Sequence, residues 1–380
     1  MDFGWTDEQL ELRAEAVAFA QKVLDDDVQA DDRDGRFPAE KWDKLASWGY
    51  FGLSVPTALG GSGLDPMTAL LVSEGLGVGC SDRGLLFSAA VQAWVIIPTV
   101  LRFAREEQRD RYLPGLIDGT VVGAFAVTEP ESGSDAFAMK TTAERAEGGW
   151  RLRGSKLYIT NAPVADLIVC FARTGAGTVG GISAFLVDVE APGVRRGSAM
   201  PAQGLRTAPI GEVAFEDVLV PEAGALGGQG LGLAIFNEAM EWERSFATAI
   251  YVGMLERQLE EGCRYARQRR AYGGAISGIQ SVSNKLVDMK LRLETARLLL
   301  YRACWLKAAG RPVLAAAAMA KLWLSESLVA SSLDAIQVHG AYGYMAESGV
   351  ERALRDAVGT RIHSGTSEIQ KVLIAKSLQL

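Results

Sequence analysis

Histidine and cysteine are scarce in this 380-residue chain. There are two histidines, His339 and His363, and four widely separated cysteines, Cys80, Cys170, Cys263 and Cys304, with no CxxC pair. No metal centre of histidine or cysteine is expected, and no disulfide frame. The thiols read as reduced and mostly buried, as in a cytoplasmic protein. Basic blocks are also lacking, and the net charge of -7 argues against a nucleic-acid partner. The N-terminal residues show neither the basic region nor the apolar stretch of a signal peptide. The most apolar run, Leu85 to Val100, is interrupted by Gln92 and Pro98 and reads as too short to span a bilayer, so no membrane partner is expected.

What is present is ordinary globular material, with 48% hydrophobic and 22% charged residues. Its texture changes twice. Up to about residue 118 the pattern is helical. Thr6 with Gln9 forms a candidate capping box, followed by Leu10, Val17, Phe19, Ala20 and Leu24 near helical spacing. Asp65 and Pro66 mark another helix start, and a further apolar helix is expected around Leu85 to Arg105. From Val121 to Val220 short β-like runs (VVGAFAV, WRLRG, LIVCFAR, SAFLVDV, GEVAFEDVLV) alternate with turns at Gly148–Gly149, Gly175 to Gly181 and Pro192–Gly193. Beyond Gly230 the chain returns to helix, with Leu286, Met289, Leu293, Ala296, Leu300 and Cys304 on one helical face. The expectation is an α+β fold in three parts: a helical domain over 1–118, an antiparallel β domain over 119–226 and a helical bundle over 227–380. A long bundle can also pack on its own kind, so a homo-oligomer is expected.

Five segments carry polar chemistry. VTEPESGSD (from Val127) offers hydroxyls and backbone N–H groups at a strand end, though an acidic turn would look the same. KLYITN (from Lys156) sets Tyr158 and Thr160 two apart on one strand face, or is simply a good strand. Tyr265 to Gln280 ends a helix in arginines and a Gly-Gly turn, fit for pyrophosphate or for a solvated helix end. QVHGAYG (from Gln337) and RIHSGTSEIQ (from Arg361) complete the set, the latter with Gly365, Thr366 and Ser367 at a helix start. The run GGQGLG (from Gly227) looks like a dinucleotide loop but lacks a βαβ context, so a turn into a helix is the better reading.

Each segment is weak alone. In this order and spacing, together with VERALRDA from Val350, they resemble the acyl-CoA dehydrogenase family over essentially the whole chain. The resemblance implies an N-terminal helical domain, a middle β domain, a C-terminal four-helix domain and FAD at their junction. It also implies residue roles. Phe125, Val127, Thr128, Tyr158 and Thr160 would line the flavin, and Ser134 would meet the substrate's pantetheine arm. Arg269 and Gln280 would hold the FAD of a neighbouring subunit, with Gln337 and Gly340 nearby, and Thr366 and Glu368 would close the cofactor site. Ala341 departs from the family's usual glycine, and its methyl group is expected to shift the backbone slightly.

The implied reaction removes the α-proton of an acyl thioester while the β-hydrogen leaves as hydride. It needs a carboxylate base and donors to the thioester oxygen. Many family members place a glutamate directly before the Gly-Thr of the last segment, but this chain has Ser364 there. In a subset of the family the base precedes an arginine on the first long C-terminal helix, and Glu243 followed by Arg244 occupies that place. Glu243 is therefore the expected base, Arg244 its neighbour in the pocket, and the Ser364 backbone N–H a donor to the thioester carbonyl. Details such as NAPVADLIV, MEWER and MKLRLETARLLLYRACW resemble the branch acting on carrier-protein-bound acyl and aminoacyl groups, prolyl-carrier-protein dehydrogenases among them. The expected partners are an acyl or peptidyl carrier protein or a CoA thioester, an electron-transfer flavoprotein, and further copies of the chain as a homotetramer or homodimer. A short branched-chain acyl-CoA dehydrogenase, a glyceryl- or hydroxyacyl-carrier-protein dehydrogenase, a flavin oxygenase and a non-catalytic helical scaffold stand as alternatives.

Overall fold

A computed structural model describes residues 4–177 and 179–380; Thr178, within the expected Gly175 to Gly181 turn, and the first three residues lie outside the described residues. The capping box forms: the Gln9 N–H donates to Thr6 Oγ1 at 3.3 Å and the Thr6 N–H to Gln9 Oε1 at 3.0 Å. It launches α1 (Asp7–Phe19), which runs on through a π-helical turn to Leu24. Leu10, expected on the core face, is instead 47% exposed. The buried positions are Ala16, Ala20 and Leu24. Ala16 is small and sits beside Gly75 of the next long helix, so the axes approach closely there and Leu10 falls outside the contact.

After α2 (Val28–Asp34) and α3 (Ala39–Ser47) comes α4 (Pro66–Gly79). Asp65 caps α4 by accepting from the Met67 and Thr68 N–H groups, with Pro66 at the first position, where its missing N–H is not needed. The apolar run becomes α5 (Arg83–Val91), a π-turn (Gln92–Ile96) and α6 (Ile97–Phe103). Together these span 21 residues, long and apolar enough to cross a membrane, so the sequence argument from length fails. Of its apolar window, 89% is packed inside the protein, as in a core helix. Gln92 does not break the run. Its Nε2 donates to the carbonyls of Leu116 and Val121 and its Oε1 accepts from the Gly123 N–H, pinning the helix to the start of the sheet. Between these points lies α7 (Glu106–Asp118).

The middle region is one eight-stranded sheet: β1 (Gly123–Ala126), β2 (Thr142–Ala146), β3 (Gly149–Thr160), β4 (Leu167–Arg173), β5 (Ile182–Asp188), β6 (Val194–Arg196), β7 (Ile210–Pro221) and β8 (Ala225–Leu226). The order is β6-β7-β3-β2-β4-β5-β8, with β1 beside β4. The sheet is mixed, which corrects the antiparallel expectation: β1 and β2 run parallel to β4 and the other pairs are antiparallel. The cause is the long excursion through the acidic loop and the β2–β3 hairpin, which returns the chain beside β1 in the same direction. The first six residues of LIVCFAR are apolar because β4 is buried there on both faces. Leu167, Val169 and Phe171 face the helical body, while Ile168, Cys170 and Ala172 face a second core with Trp150, Phe185 and Phe215.

The C-terminal part holds α8 (Gly232–Trp242), α9 (Ala249–Gln268), the small hairpin β9 (Arg270–Ala271) and β10 (Gly274–Ala275), α10 (Gln280–Ala308), α11 (Leu314–His339), α12 (Ala341–Tyr344), α13 (Val350–Thr360) and α14 (Ser367–Ser377). GGQGLG is, as expected, a turn into α8. Helices α4 and α9 cross where two glycines meet: a Cβ on Gly77 would lie 2.0 Å from the Ile250 carbonyl oxygen, and one on Gly253 2.1 Å from that of Glu74. The Glu74 carboxylate, at the same crossing, is held by Arg13 from α1 and Arg297 from α10 at 3.0 and 2.8 Å.

Candidate active site

Glu243 lies where the rod formed by α8 and α9 is broken by a π-helical turn, Glu243–Ala247. Hydroxyls cause the break. Ser245 Oγ donates to the Glu241 carbonyl, and Thr248 Oγ1 reaches the carbonyls of Ser245 (2.9 Å) and Arg244 (3.2 Å). Such side-chain bonds compete with the helical ladder and favour a wider turn, a form frequent at functional sites. The consecutive residues Glu243 and Arg244 both end up inside, at 8% and 6% exposure.

Four groups converge on the loop that precedes α14. Ser364 Oγ donates to Glu243 Oε1 at 2.5 Å, and Arg244 Nε donates to the Ser364 carbonyl at 3.0 Å. Lys321 Nζ donates to the Gly365 carbonyl at 2.8 Å, and Gln370 Nε2 bonds both carbonyls at 3.0 and 2.9 Å. Ser364 and Gly365 are both left-handed, with φ of 59° and 87°. The loop's carbonyls are thus occupied, while no backbone acceptor among the described residues takes the Ser364 N–H. Thr366 caps α14 by accepting from the Ile369 N–H, and exposed Glu368 sits in its first turn.

Burial pushes the Glu243 carboxyl above its usual range, although the Ser364 hydrogen bond and the charges of Arg244 and Lys321 pull the other way. That direction suits a general base, whose affinity for a proton should approach that of its surroundings. Burial likewise lowers Lys321 to about 8, against the attraction of Glu243. Among ionisable groups a sequence reading misses, Lys321 has a visible signal: one lysine inside the apolar run LAAAAMAKLWL.

A second group of expected residues gathers on the sheet. The Leu157 N–H donates to the Thr128 carbonyl at 2.9 Å, joining VTEPESGSD to KLYITN. Lys156, wholly buried, clamps the same junction by donating to Glu129 Oε1 at 2.8 Å and to the Val127 carbonyl at 3.1 Å. The sequence reading placed Tyr158 and Thr160 on one face of a regular strand. Instead the β3–β7 register shifts between Lys156 and Ile159, and Tyr158 is left-handed (φ 59°) and 62% exposed. Phe125 turns toward the helices, packing on Phe171, which in turn meets Phe236 of α8. Ser134 is exposed in the acidic loop.

Successive residues of α5 tie the two groups together. The Phe87 ring lies 4.3 Å from that of His363, and Ser88 Oγ donates to Asn161 Oδ1 at the end of β3. The third group lies apart. Arg269 ends α9 before the small hairpin, Gln280 begins α10 after it, and Gln337 and Gly340 lie at the end of α11, which Tyr265 of α9 joins by packing its ring 4.3 Å from that of His339 and donating to the His339 carbonyl. Sixteen residues of α11 separate Lys321 from Gln337, about 24 Å along the helix axis. Arg269, Gln280 and Gln337 are exposed. Ala341 begins α12 and is exposed, and the residue before it, Gly340, takes the conformation that demands glycine (φ 60°, ψ −140°).

With this geometry established, comparison with known proteins is informative. Models of the acyl-CoA dehydrogenase N-terminal, middle and C-terminal domains match residues 6–120, 124–218 and 230–379. An L-prolyl-[peptidyl-carrier protein] dehydrogenase from a Serratia species is 41% identical over 382 residues, covering 100% of this chain and 99% of its own. The crystal structure of the prolyl acyl carrier protein oxidase AnaB superposes with a TM-score of 0.97 at 42% identity, covering 99% of this chain and 100% of that one. A structure of PigA with FAD and proline gives a TM-score of 0.97 at 40% identity, with full coverage of both. Three matched domains in sequence order and a relative of full length leave one conclusion: the chain belongs to the acyl-CoA dehydrogenase family.

Proposed function

We propose that this protein is an FAD-dependent dehydrogenase that introduces an α,β double bond into a small aminoacyl thioester, a prolyl group tethered to a peptidyl carrier protein. The observation that carries the reading is the buried carboxylate of Glu243, held at one oxygen by Ser364. The names of relatives at about 40% identity over the full length supply the substrate class. The rings of Trp94, Trp242 and Phe246, with centroids 4.8 to 6.1 Å apart at the Glu243 turn, add bulk that favours a small acyl group over a long chain.

The residues present fit FAD. Exposed Tyr158 and the hydroxyls of Thr128 and Thr160, with Phe125 and Val127 behind them, suit a flavin ring. Thr366 and Glu368 at the start of α14 border the same loop. Exposed Arg269, with Gln280, Gln337 and Gly340, suits the pyrophosphate end of a cofactor bound to a neighbouring copy. When bound, FAD supplies the acceptor for the β-hydride. Glu243 takes the α-proton through the oxygen that Ser364 leaves free. The Ser364 N–H donates to the thioester carbonyl, where negative charge gathers as the proton leaves. Arg244 braces this loop through the Ser364 carbonyl, and Ser134 meets the pantetheine arm.

The three-part division at about residues 118 and 226 belongs to the same proposal, supported by the end of α7 and the start of α8. So does assembly into a homotetramer or homodimer, supported by exposed apolar side chains along α10 and α11 (Val287, Leu291, Leu298, Trp305, Trp323). A cytoplasmic site of action agrees with four free cysteines, three of them buried.

The test is to incubate the FAD-loaded protein with prolyl-carrier protein and, separately, isovaleryl-CoA, and to weigh the products. Loss of two or four hydrogens from the prolyl group alone is the expected result; oxidation of isovaleryl-CoA alone would refute the substrate. Glu243→Gln should lower flavin reduction by about 10²- to 10⁴-fold while FAD is retained, the usual contribution of a general base.

A further inference from the structure

The mechanism uses the backbone of Ser364; the side chain has more to say. Ser364 Oγ is 2.5 Å from Glu243 Oε1 and 2.8 Å from His363 Nδ1, and His363 Nε2 is 2.9 Å from the Tyr251 hydroxyl. An ionised carboxylate only accepts, so the single Ser364 hydroxyl proton goes to Glu243. His363 Nδ1 must then be the donor to Ser364. Burial holds the His363 imidazole well below its usual pKa, with Lys321 acting in the same direction. The ring is therefore neutral, its Nε2 carries no proton, and the Tyr251 hydroxyl donates to it. Every hydrogen in the row points toward Glu243.

We infer that Tyr251, His363 and Ser364 form a one-way hydrogen-bond chain that keeps the buried Glu243 ionised and fixes one of its oxygens, leaving the other for the α-proton. This rests on Glu243 being the base. Ser364 touches the base directly, and His363 and Tyr251 are positioning residues that act through it. The serine at this site thereby replaces a base with the group that orients one. Phe87, packed 4.3 Å from the imidazole, and the ring of Tyr251 hold the His363 plane. The titratable and charged groups around Glu243 are Arg244 from its own turn, Lys321 from α11, Tyr251 from α9 and His363 from the loop. Arg83 and Asp356 act on Tyr251 from behind.

Ser364→Gly isolates the hydroxyl, because φ of 59° suits glycine and the backbone N–H is retained. The measurement is the pH dependence of flavin reduction in a single turnover. A hydrogen bond to a buried charge is worth enough to move the acid limb upward by about one to two pH units in Ser364→Gly. The low-pH rate should then fall about tenfold to a hundredfold and the high-pH rate by much less. Tyr251→Phe should move the limb in the same direction by a smaller step. A limb that stays in place in Ser364→Gly, or a loss of rate equal at every pH, would overturn the chain. If Glu243→Gln is inactive in that case, the base assignment stands and only the chain fails. If Glu243→Gln turns over normally, the base assignment itself is wrong.

Discussion

Replacing Lys156 by methionine probes what holds the sheet side of the site. The Lys156 side chain is 0% exposed and that of Glu129 5%, so the pair is shielded from solvent. Methionine fills much the same volume but removes the cation and the donor to the Val127 carbonyl. Glu129 keeps two backbone donors, the N–H groups of Lys140 (2.6 Å) and Thr141 (3.0 Å). Burial alone would raise its carboxyl; the charge and hydrogen bond of Lys156, with the bonds from Thr141 and Lys140, together override this and hold it below its usual range. Breaking a buried ion pair from one side typically costs about 3–5 kcal/mol. The two remaining donors put the expected loss near the lower bound, about 3 kcal/mol in urea denaturation. A second substitution, Glu129→Gln, removes the stranded charge while its amide oxygen still accepts from the loop. The double variant should therefore recover at least about 1 kcal/mol relative to Lys156→Met, within the usual range for coupled neighbours. FAD should bind more weakly to the single variant, since the freed segment carries Val127 and Thr128. A loss below about 1 kcal/mol, or a double variant less stable than Lys156→Met, would refute the reasoning.

Two further outcomes follow from the core. Burial pushes Asp356, 3% exposed, up to about 6 despite the charge of Arg83 and the Leu205 N–H. The unfolded chain ionises this residue near pH 4 and the folded protein near 6, so its contribution to stability falls as pH rises between those values and is flat above. Two pH units correspond to about 3 kcal/mol. Asp356→Asn, which keeps an acceptor for Leu205, should thus gain on the wild type by about that amount between pH 4 and pH 7. Parallel slopes in denaturant titrations across this range would rule it out. Gly77→Ala should destabilise by at least about 1–3 kcal/mol, because the added methyl meets the Ile250 backbone rather than a yielding side chain. Gly278→Ala, with open space around its Cβ, is the control.

The helical caps were legible because their chemistry is local. Thr6 with Gln9, and Asp65 with Pro66, need no residue more than a few positions away. Sheet topology was not local in this sense. The runs VVGAFAV and LIVCFAR announce strands, but nothing in either states that they lie side by side in the same direction, since that follows from the path of some forty intervening residues. Strand β2 was missed because TAERA has little β character and is held by its hairpin with β3. The break at Tyr158 was missed for a similar reason: a register shift depends on the partner strand, which the period-2 pattern of one strand does not contain.

The site shows the same division in sharper form. Glu243, the proposed base, was singled out from a departure at Ser364, 121 positions away. In that reading the serine counted only as the absence of a carboxylate. Its hydroxyl acquires a role through contacts that bring α9, the loop before α14 and the π-turn together, none of which is visible along the chain. Lys321 was overlooked because one lysine in an apolar helix reads as a surface residue until α11 is packed against Gly365. With the base proposed on the π-turn, a carboxylate in the loop as well would be unfavourable. A glutamate at 364 would have set a second buried carboxylate against Glu243, where like charges resist ionising together. A short hydroxyl removes that conflict and adds a donor, so the two positions are physically coupled, and Ser364 is as informative about the base as Glu243 itself.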